Sequence, residues 1–93
     1  MQHGILMHDP NDDVGVTVLD LKTGQTIGAV TLEGEPVVSI EIMEDIPLSH
    51  KVAIRDIEKN KIVLEYGREI GQATQRIACG EHVHIHNLKT IRW

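Results

Sequence analysis

Apolar positions along this chain recur mainly at every second residue, and only over short stretches. Val14, Val16 and Val18 alternate with Gly15, Thr17 and Leu19, which is the period of a β-strand. Residues 27–32 form a second candidate strand. Val38, Ile40 and Ile42 alternate with Ser39 and Glu41, predicting a third with one wet face. Residues 52–57 predict a fourth strand, and Ile62, Leu64 and Tyr66 its return strand. Turn signals separate these runs. They are Lys22-Thr23-Gly24-Gln25, Glu33-Gly34-Glu35-Pro36, a loop over 46–51 where Pro47 disfavours helix at Ile46, and Glu58-Lys59-Asn60-Lys61. The last looks like a tight hairpin turn in which Asn60 can take positive φ. Gly67 and Gly71 frame a short segment around Ile70. Residues 73–77 fit one helical turn or an irregular strand equally well, and Cys79-Gly80-Glu81 turns into a stretch over 82–87. No helical period lasts beyond about two turns, and no internal repeat stands out, so the pattern predicts an all-β fold of short strands. His8-Asp9-Pro10-Asn11-Asp12-Asp13 is a polar turn cluster. It divides the chain into a lead-in over 1–12, one domain over 13–88 and a tail over 89–93.

Composition sharpens this picture. A chain of 93 residues buries only about 60–65% of its unfolded surface. Phe is absent, and Tyr66 and Trp93 are the only aromatic residues. Val, Ile and Leu must therefore fill the core, and β-branched side chains suit a pleated surface. A core this small commonly gains support from a partner and leaves little room for an enclosed ligand pocket of roughly 300 Å³ or more. The formal charge of −5, with no block of Lys or Arg, argues against nucleic acid. The lone Cys79 excludes an internal disulfide and fits a reducing compartment. The first residues lack the basic start and apolar run of a signal peptide, and no apolar stretch approaches the roughly 20 residues that span a bilayer. The expected location is the cytoplasm, away from membranes.

Candidate chemistry concentrates in His82-x-His84-x-His86, three of the six histidines in the chain. On a strand these side chains share a face, with neighbouring Cα atoms roughly 6.5–7 Å apart. Adjacent imidazoles at that spacing can converge on one metal ion, at bonds of about 2.0–2.1 Å. The outer pair, roughly 13 Å apart on a strand, is strained for a shared ion. His84 and His86 are therefore the expected metal ligands, against the alternative of a wet, histidine-rich strand face. His50 follows a proline-containing loop and can act as a general acid or base. Lys51 offers a point charge for a substrate carboxylate. Cys79 reads as a small buried thiol rather than a ligand. Asp9, Asp12 and Asp13 lack the spacing of a calcium loop and read as a solvated acidic turn.

Three blocks then carry a resemblance: Ile46-Pro47-Leu48-Ser49-His50-Lys51-Val52-Ala53, Tyr66-Gly67-Arg68-Glu69-Ile70-Gly71-Gln72-Ala73, and Gly80-Glu81-His82-Val83-His84-Ile85-His86-Asn87. In order and separation they resemble the SAF domain of the altronate/galactarate dehydratase family, over about 13–88. The resemblance implies a β-clip fold and a lyase that removes water or sulfite from a hydroxy acid. It also implies a divalent metal, iron or manganese. In some members of the family the domain is fused to a large catalytic region, and in others it is a separate small polypeptide. The expectation here is the separate small subunit, inactive without a large lyase chain and working on a small acidic substrate such as altronate or sulfolactate. Under that reading His84 and His86 are metal or acid–base groups, His50 a second acid–base group, and Lys51 and Asn87 substrate-binding. Ser49 stands where the family usually has glycine before its His-Lys pair, and Asn60 stands at a common hairpin glycine. Galactarate-type members lack the histidine block, which places the chain nearer the altronate and sulfolactate branches. Two other functions compete: a non-enzymatic SAF binding or assembly module, and a free-standing metal carrier that binds tightly with no partner.

Overall fold

The computed structural model describes residues 2–90, in which there are nine strands and no helix. They are β1 (His3–Met7), β2 (Val14–Thr17), β3 (Thr26–Thr31), β4 (Pro36–Glu41), β5 (Lys51–Ala53), β6 (Ile62–Glu65), β7 (Arg68–Ala73), β8 (His82–Val83) and β9 (Leu88–Thr90). Six form one sheet in the order β4-β3-β1-β2-β5-β8, and three form another in the order β6-β7-β9. All named pairings are antiparallel except β1 with β3. Two aliphatic cores serve the sheets. Ile5, Met7, Leu21, Ile27, Ile40, Ile42, Ile46 and Val52 build the first. Val14, Ala53, Ile57, Val63, Ala73, Ile77 and Val83 build the second.

Four copies of one turn make the connections, although the sequence shows no obvious repeat. They are Asp20-Leu21-Lys22-Thr23-Gly24-Gln25, Asp45-Ile46-Pro47-Leu48-Ser49-His50, Asp56-Ile57-Glu58-Lys59-Asn60-Lys61 and Arg76-Ile77-Ala78-Cys79-Gly80-Glu81. In each, the sixth N–H donates to the third carbonyl, at 3.0–3.2 Å. The fifth residue has positive φ: 92° at Gly24, 75° at Ser49, 73° at Asn60 and 90° at Gly80. That residue's N–H donates to the carbonyl of Ile42, Thr17, Ala73 or Ala53 respectively. The same strand residue donates back to the sixth carbonyl, all at 2.8–3.0 Å. Every copy is therefore clamped to a strand by two backbone hydrogen bonds.

The second residue of each turn is apolar and at most 1% exposed. These residues pair across copies, Leu21 with Ile46 and Ile57 with Ile77, by reciprocal hydrogen bonds of 2.7–2.9 Å. The first pair lies in the first core and the second pair in the second. The leading aspartates brace the pairs: Asp20 accepts from the Leu48 N–H at 2.8 Å, Asp45 from Thr23 at 2.9 Å and Asp56 from Cys79 at 2.9 Å. Arg76 breaks the pattern and instead reaches Asp56 at 3.1 Å and Glu58 at 3.4 Å.

Several expectations are corrected. The lead-in over 1–12 contains β1, which lies between β3 and β2 in the large sheet. Its apolar residues Ile5 and Met7 are 1% exposed, so the domain begins before residue 13. Lys89 and Thr90 of the expected tail belong to β9, while 91–93 lie outside the described residues. The turn at 58–61 forms, but its flanking strands do not pair; β5 joins β2 and β8, and β6 joins β7. In β6 the buried side chains are Val63 and Glu65, while Ile62 is 37% exposed. The undecided segment 73–77 is not helical: Ala73 ends β7 and Ile77 bridges to Ile57. The aspartates are not a solvated turn. Asp12 and Asp13 are each 1% exposed. Asp12 accepts from the N–H groups of Tyr66 and Gly67, at 2.8 and 2.9 Å. These two residues turn the β6–β7 hairpin at φ 58° and 68°. Asp13 accepts from the Leu64 N–H at 2.9 Å and from the Lys61 ammonium at 2.6 Å.

Gly24 and Gly80 occupy equivalent turn positions but different surroundings. A Cβ on Gly24 meets nothing within 4 Å, whereas one on Gly80 collides with the Glu41 carbonyl oxygen. Gly24→Ala should cost only left-handed strain, about 1–2 kcal/mol. Gly80→Ala adds displacement of a backbone and should cost more than about 3 kcal/mol. Thermal melts of the two variants check this; equal losses would contradict it.

Candidate functional site

His50 and the His82-x-His84-x-His86 run meet because two copies of the turn end beside each other. His50 closes the second copy, immediately after Ser49 at φ 75°. The Thr17 hydroxyl donates to the Pro47 carbonyl at 2.9 Å and ties that turn to β2. His82 opens β8 just after the fourth copy and pairs in register with Val52. His50, Val52 and His82 thus fall on one face of the β5–β8 ladder, and Lys51 and Val83 on the other.

Beyond Val83 the chain bends instead of continuing as a strand. Asn87 causes this. Its side-chain oxygen accepts from the His84 N–H at 3.0 Å, and its amide donates to the His82 carbonyl at 2.8 Å. The N–H groups of Asn87 and Leu88 both donate to the His84 carbonyl, at 3.1 and 2.9 Å. The tight turn brings the His86 ring to 5.4 Å from His82, centroid to centroid, where an extended strand separates them by about 13 Å.

Four imidazoles therefore form one patch. His50 Nδ1 and His82 Nε2 lie 2.8 Å apart in a hydrogen bond. A ring nitrogen can accept only when unprotonated, so at least one of the two rings is neutral. The His84 ring centroid is 4.8 Å from that of His50 and 5.5 Å from that of His82. One ligand atom from each of His50, His82 and His84 lies within 4.8 Å of the others. Burial lowers the His82 pKa, and the neighbouring His50, His86 and His84 lower it further against an opposing pull from Glu44. A patch that keeps an imidazole neutral can accept a proton or offer a nitrogen lone pair. His50 and His82 are half-buried and His84 is exposed. Two open hollows, of about 280 and 240 Å³, are lined by none of these rings.

The expected site residues are thus partly regrouped. His50 and His84 come together. His82, passed over as strained, takes the central place, and His86 packs outside it. The signal in the sequence is that His50 and His82 follow within two residues the left-handed Ser49 and Gly80 of the same turn. Lys51 does not join the patch. Its ammonium faces the second core and lies 3.8 Å from Glu65, whose side chain is 6% exposed. Asn87 is 3% exposed with both side-chain polar atoms engaged in the turn, where it positions the histidines. The Cys79 thiol is half-buried and donates to the Ile54 carbonyl at 3.2 Å. Its pKa is raised by burial and by Asp56, against Arg55.

A small all-β domain of paired turns carrying an imidazole patch is the class that fold and site define. Comparison with known proteins gives it a family. Residues 3–91 match the model of the altronate/galactarate dehydratase SAF domain, and the chain belongs to that family. It is 38% identical to the (2R)-sulfolactate sulfo-lyase subunit alpha of Chromohalobacter salexigens, over 100% of both chains. It is 43% identical to the subunit of the same name from Paracoccus pantotrophus, over 53% of this chain and 73% of that one. With the altronate dehydratase of Bacillus subtilis it shares 39% identity over 85% of its own length but only 15% of the relative's. The chain therefore corresponds to the small subunit, or to the SAF domain, of lyase and dehydratase enzymes.

Glu65 provides a test of the electrostatics on the face opposite the patch. One of its oxygens is buried without a hydrogen-bond partner. Burial raises its pKa above the ordinary 4.5, and Asp12 adds to this, while Lys51 and His8 oppose it. A raised carboxylate pKa costs the folded state nothing below the unfolded value. The cost grows as pH rises from there through the folded value. Glu65→Gln should therefore raise the melting temperature at pH 7, and the gain should vanish near pH 4. Melts at the two pH values decide it; a variant less stable than the parent at pH 7 contradicts the assignment.

Proposed function

We propose that the chain is the small subunit of a two-component lyase that eliminates water or sulfite from a small hydroxy acid such as altronate or sulfolactate. The convergence of His50, His82 and His84 carries this reading, and the end-to-end similarity to a sulfo-lyase alpha subunit supports it. The patch forms one wall of a site whose other walls come from a large catalytic chain. Its reduced Cys79 fits a cytoplasmic enzyme.

Within this reading the exposed His84 holds or moves a proton at its ring nitrogen, as a positioned imidazole can act as a general acid or base. His50 and His82 share a proton through their hydrogen bond and set the orientation of the patch. Three imidazoles form a donor set suited to iron(II) or zinc, so His50, His82 and His84 would hold a divalent metal. Such an ion, when bound, supplies Lewis-acid stabilisation of charge developing beside the substrate carboxylate. Lys51 is left out of this wall because it faces Glu65.

Two measurements test the proposal. For the metal, iron(II), manganese(II) or zinc added to the chain should raise its melting temperature, since a ligand that prefers the native state stabilises it. The double variant His50→Ala/His82→Ala should lose that rise and His86→Ala should keep most of it; an equal rise in the double variant places the metal elsewhere. For activity, neither chain alone should turn over altronate or sulfolactate, and the mixture should. His84→Ala should lower kcat by about 100-fold or more while changing subunit affinity only a few-fold. Full activity of the large chain alone would overturn the proposal and favour a docking module.

A further inference from the structure

Ile85 is 85% exposed and stands at the tip of the turn between His84 and His86. Single exposed apolar residues are ordinary, but this one has company. Met43 is 51% exposed, and its N–H donates to the Gly80 carbonyl at 3.0 Å, two residues before His82. Leu48 is 52% exposed, two residues before His50, and its N–H is fixed by Asp20 at 2.8 Å. Ile85 and Leu48 therefore stand on the segments that carry the imidazoles, and Met43 on a segment bonded to the turn just before His82. The Ile85 turn is also stiff, because buried Asn87 and two backbone hydrogen bonds hold it. An apolar side chain fixed before binding loses little entropy when it enters a pocket, which is what makes an effective interface anchor.

We infer that Ile85, supported by Met43 and Leu48, is the anchor by which this chain docks onto the large lyase chain, closing the histidine patch against it. The inference rests on the lyase-subunit reading and adds to it the docking surface. The occupant is argued from two observations. In the Bacillus subtilis altronate dehydratase the region similar to this chain makes up only 15% of the protein, so a much larger body accompanies the domain. The patch is also open: His84 and His86 are exposed, so a covering surface must come from elsewhere if substrate is to be shielded from water. Docking at Ile85 places the partner's wall directly over the imidazoles, and the apolar anchor excludes water around them.

The test measures affinity of the purified chain for the large lyase chain by titration calorimetry. Three variants are compared: Ile85→Asp, Met43→Asp and Leu32→Asp. Leu32 is 52% exposed, like Met43, but lies at the far β3–β4 turn. The zinc-induced rise in melting temperature reports whether each variant keeps the folded patch. Ile85→Asp should weaken association at least about 30-fold, Met43→Asp by less, and Leu32→Asp not at all, with the zinc response preserved in all three. Parental affinity for Ile85→Asp, or equal loss for Leu32→Asp, overturns the docking surface and leaves the lyase reading standing. No association of the unaltered chain with the large chain overturns both.

Discussion

The pair of backbone hydrogen bonds that ties the last two residues of each turn, the left-handed one and the one after it, to a single residue of a neighbouring segment is the interaction on which this fold depends. A backbone N–H and C=O at a turn must find partners when a strand packs over them. Here positive φ at Gly24, Ser49, Asn60 and Gly80 points both groups at one strand residue. The geometry leaves the second turn residue aimed inward, so that Leu21 pairs with Ile46 and Ile57 with Ile77. Each pair seeds one of two cores that contain no Phe. With no helix among the described residues to bury large side chains, the chain gains its order from these repeated clamps.

Function follows from the same device. Turns two and four end on β5 and β8, which are adjacent in the large sheet. The residue after one left-handed position is His50, and two after another is His82, so their rings meet at hydrogen-bond distance. Asn87 then bends the chain and returns His84 and His86 to the same place. The patch is thus a by-product of backbone geometry, fixed before any ligand arrives. Lys51 is excluded by the strand period: one residue along from His50 is the opposite face, where it meets Glu65.

Much of the fold could be read in the sequence. The alternation over 14–18 and 38–42 and the turn glycines identified short strands, and the positive φ foreseen at Asn60 is present. Ser49, standing at a family glycine, adopts the left-handed backbone that glycine favours. Strand partners were not legible, because pairing depends on contacts distant in sequence; 52–57 and 62–66 resembled a hairpin yet join different sheets. The lead-in hid β1 because Ile5 and Met7 sit among histidines and glycine in a very short run. The repeat was hard to see because all four copies share only an apolar second residue and a φ sign that Gly, Ser and Asn all satisfy, while the leading aspartate is kept in three. The histidine block announced chemistry, but reading it as a straight strand selected His84 with His86. The turn that overturns this geometry is made by Asn87, whose side chain reads locally as a polar surface group and is in fact buried.

The patch is assembled from two turns rather than from one histidine run. Its most direct test is nitrogen-15 NMR of the histidine rings during titration with zinc. Ring-nitrogen signals of His50, His82 and His84 should move together to saturation, with His86 responding weakly. Zinc shifts confined to His84 and His86, with His50 unmoved, would contradict it.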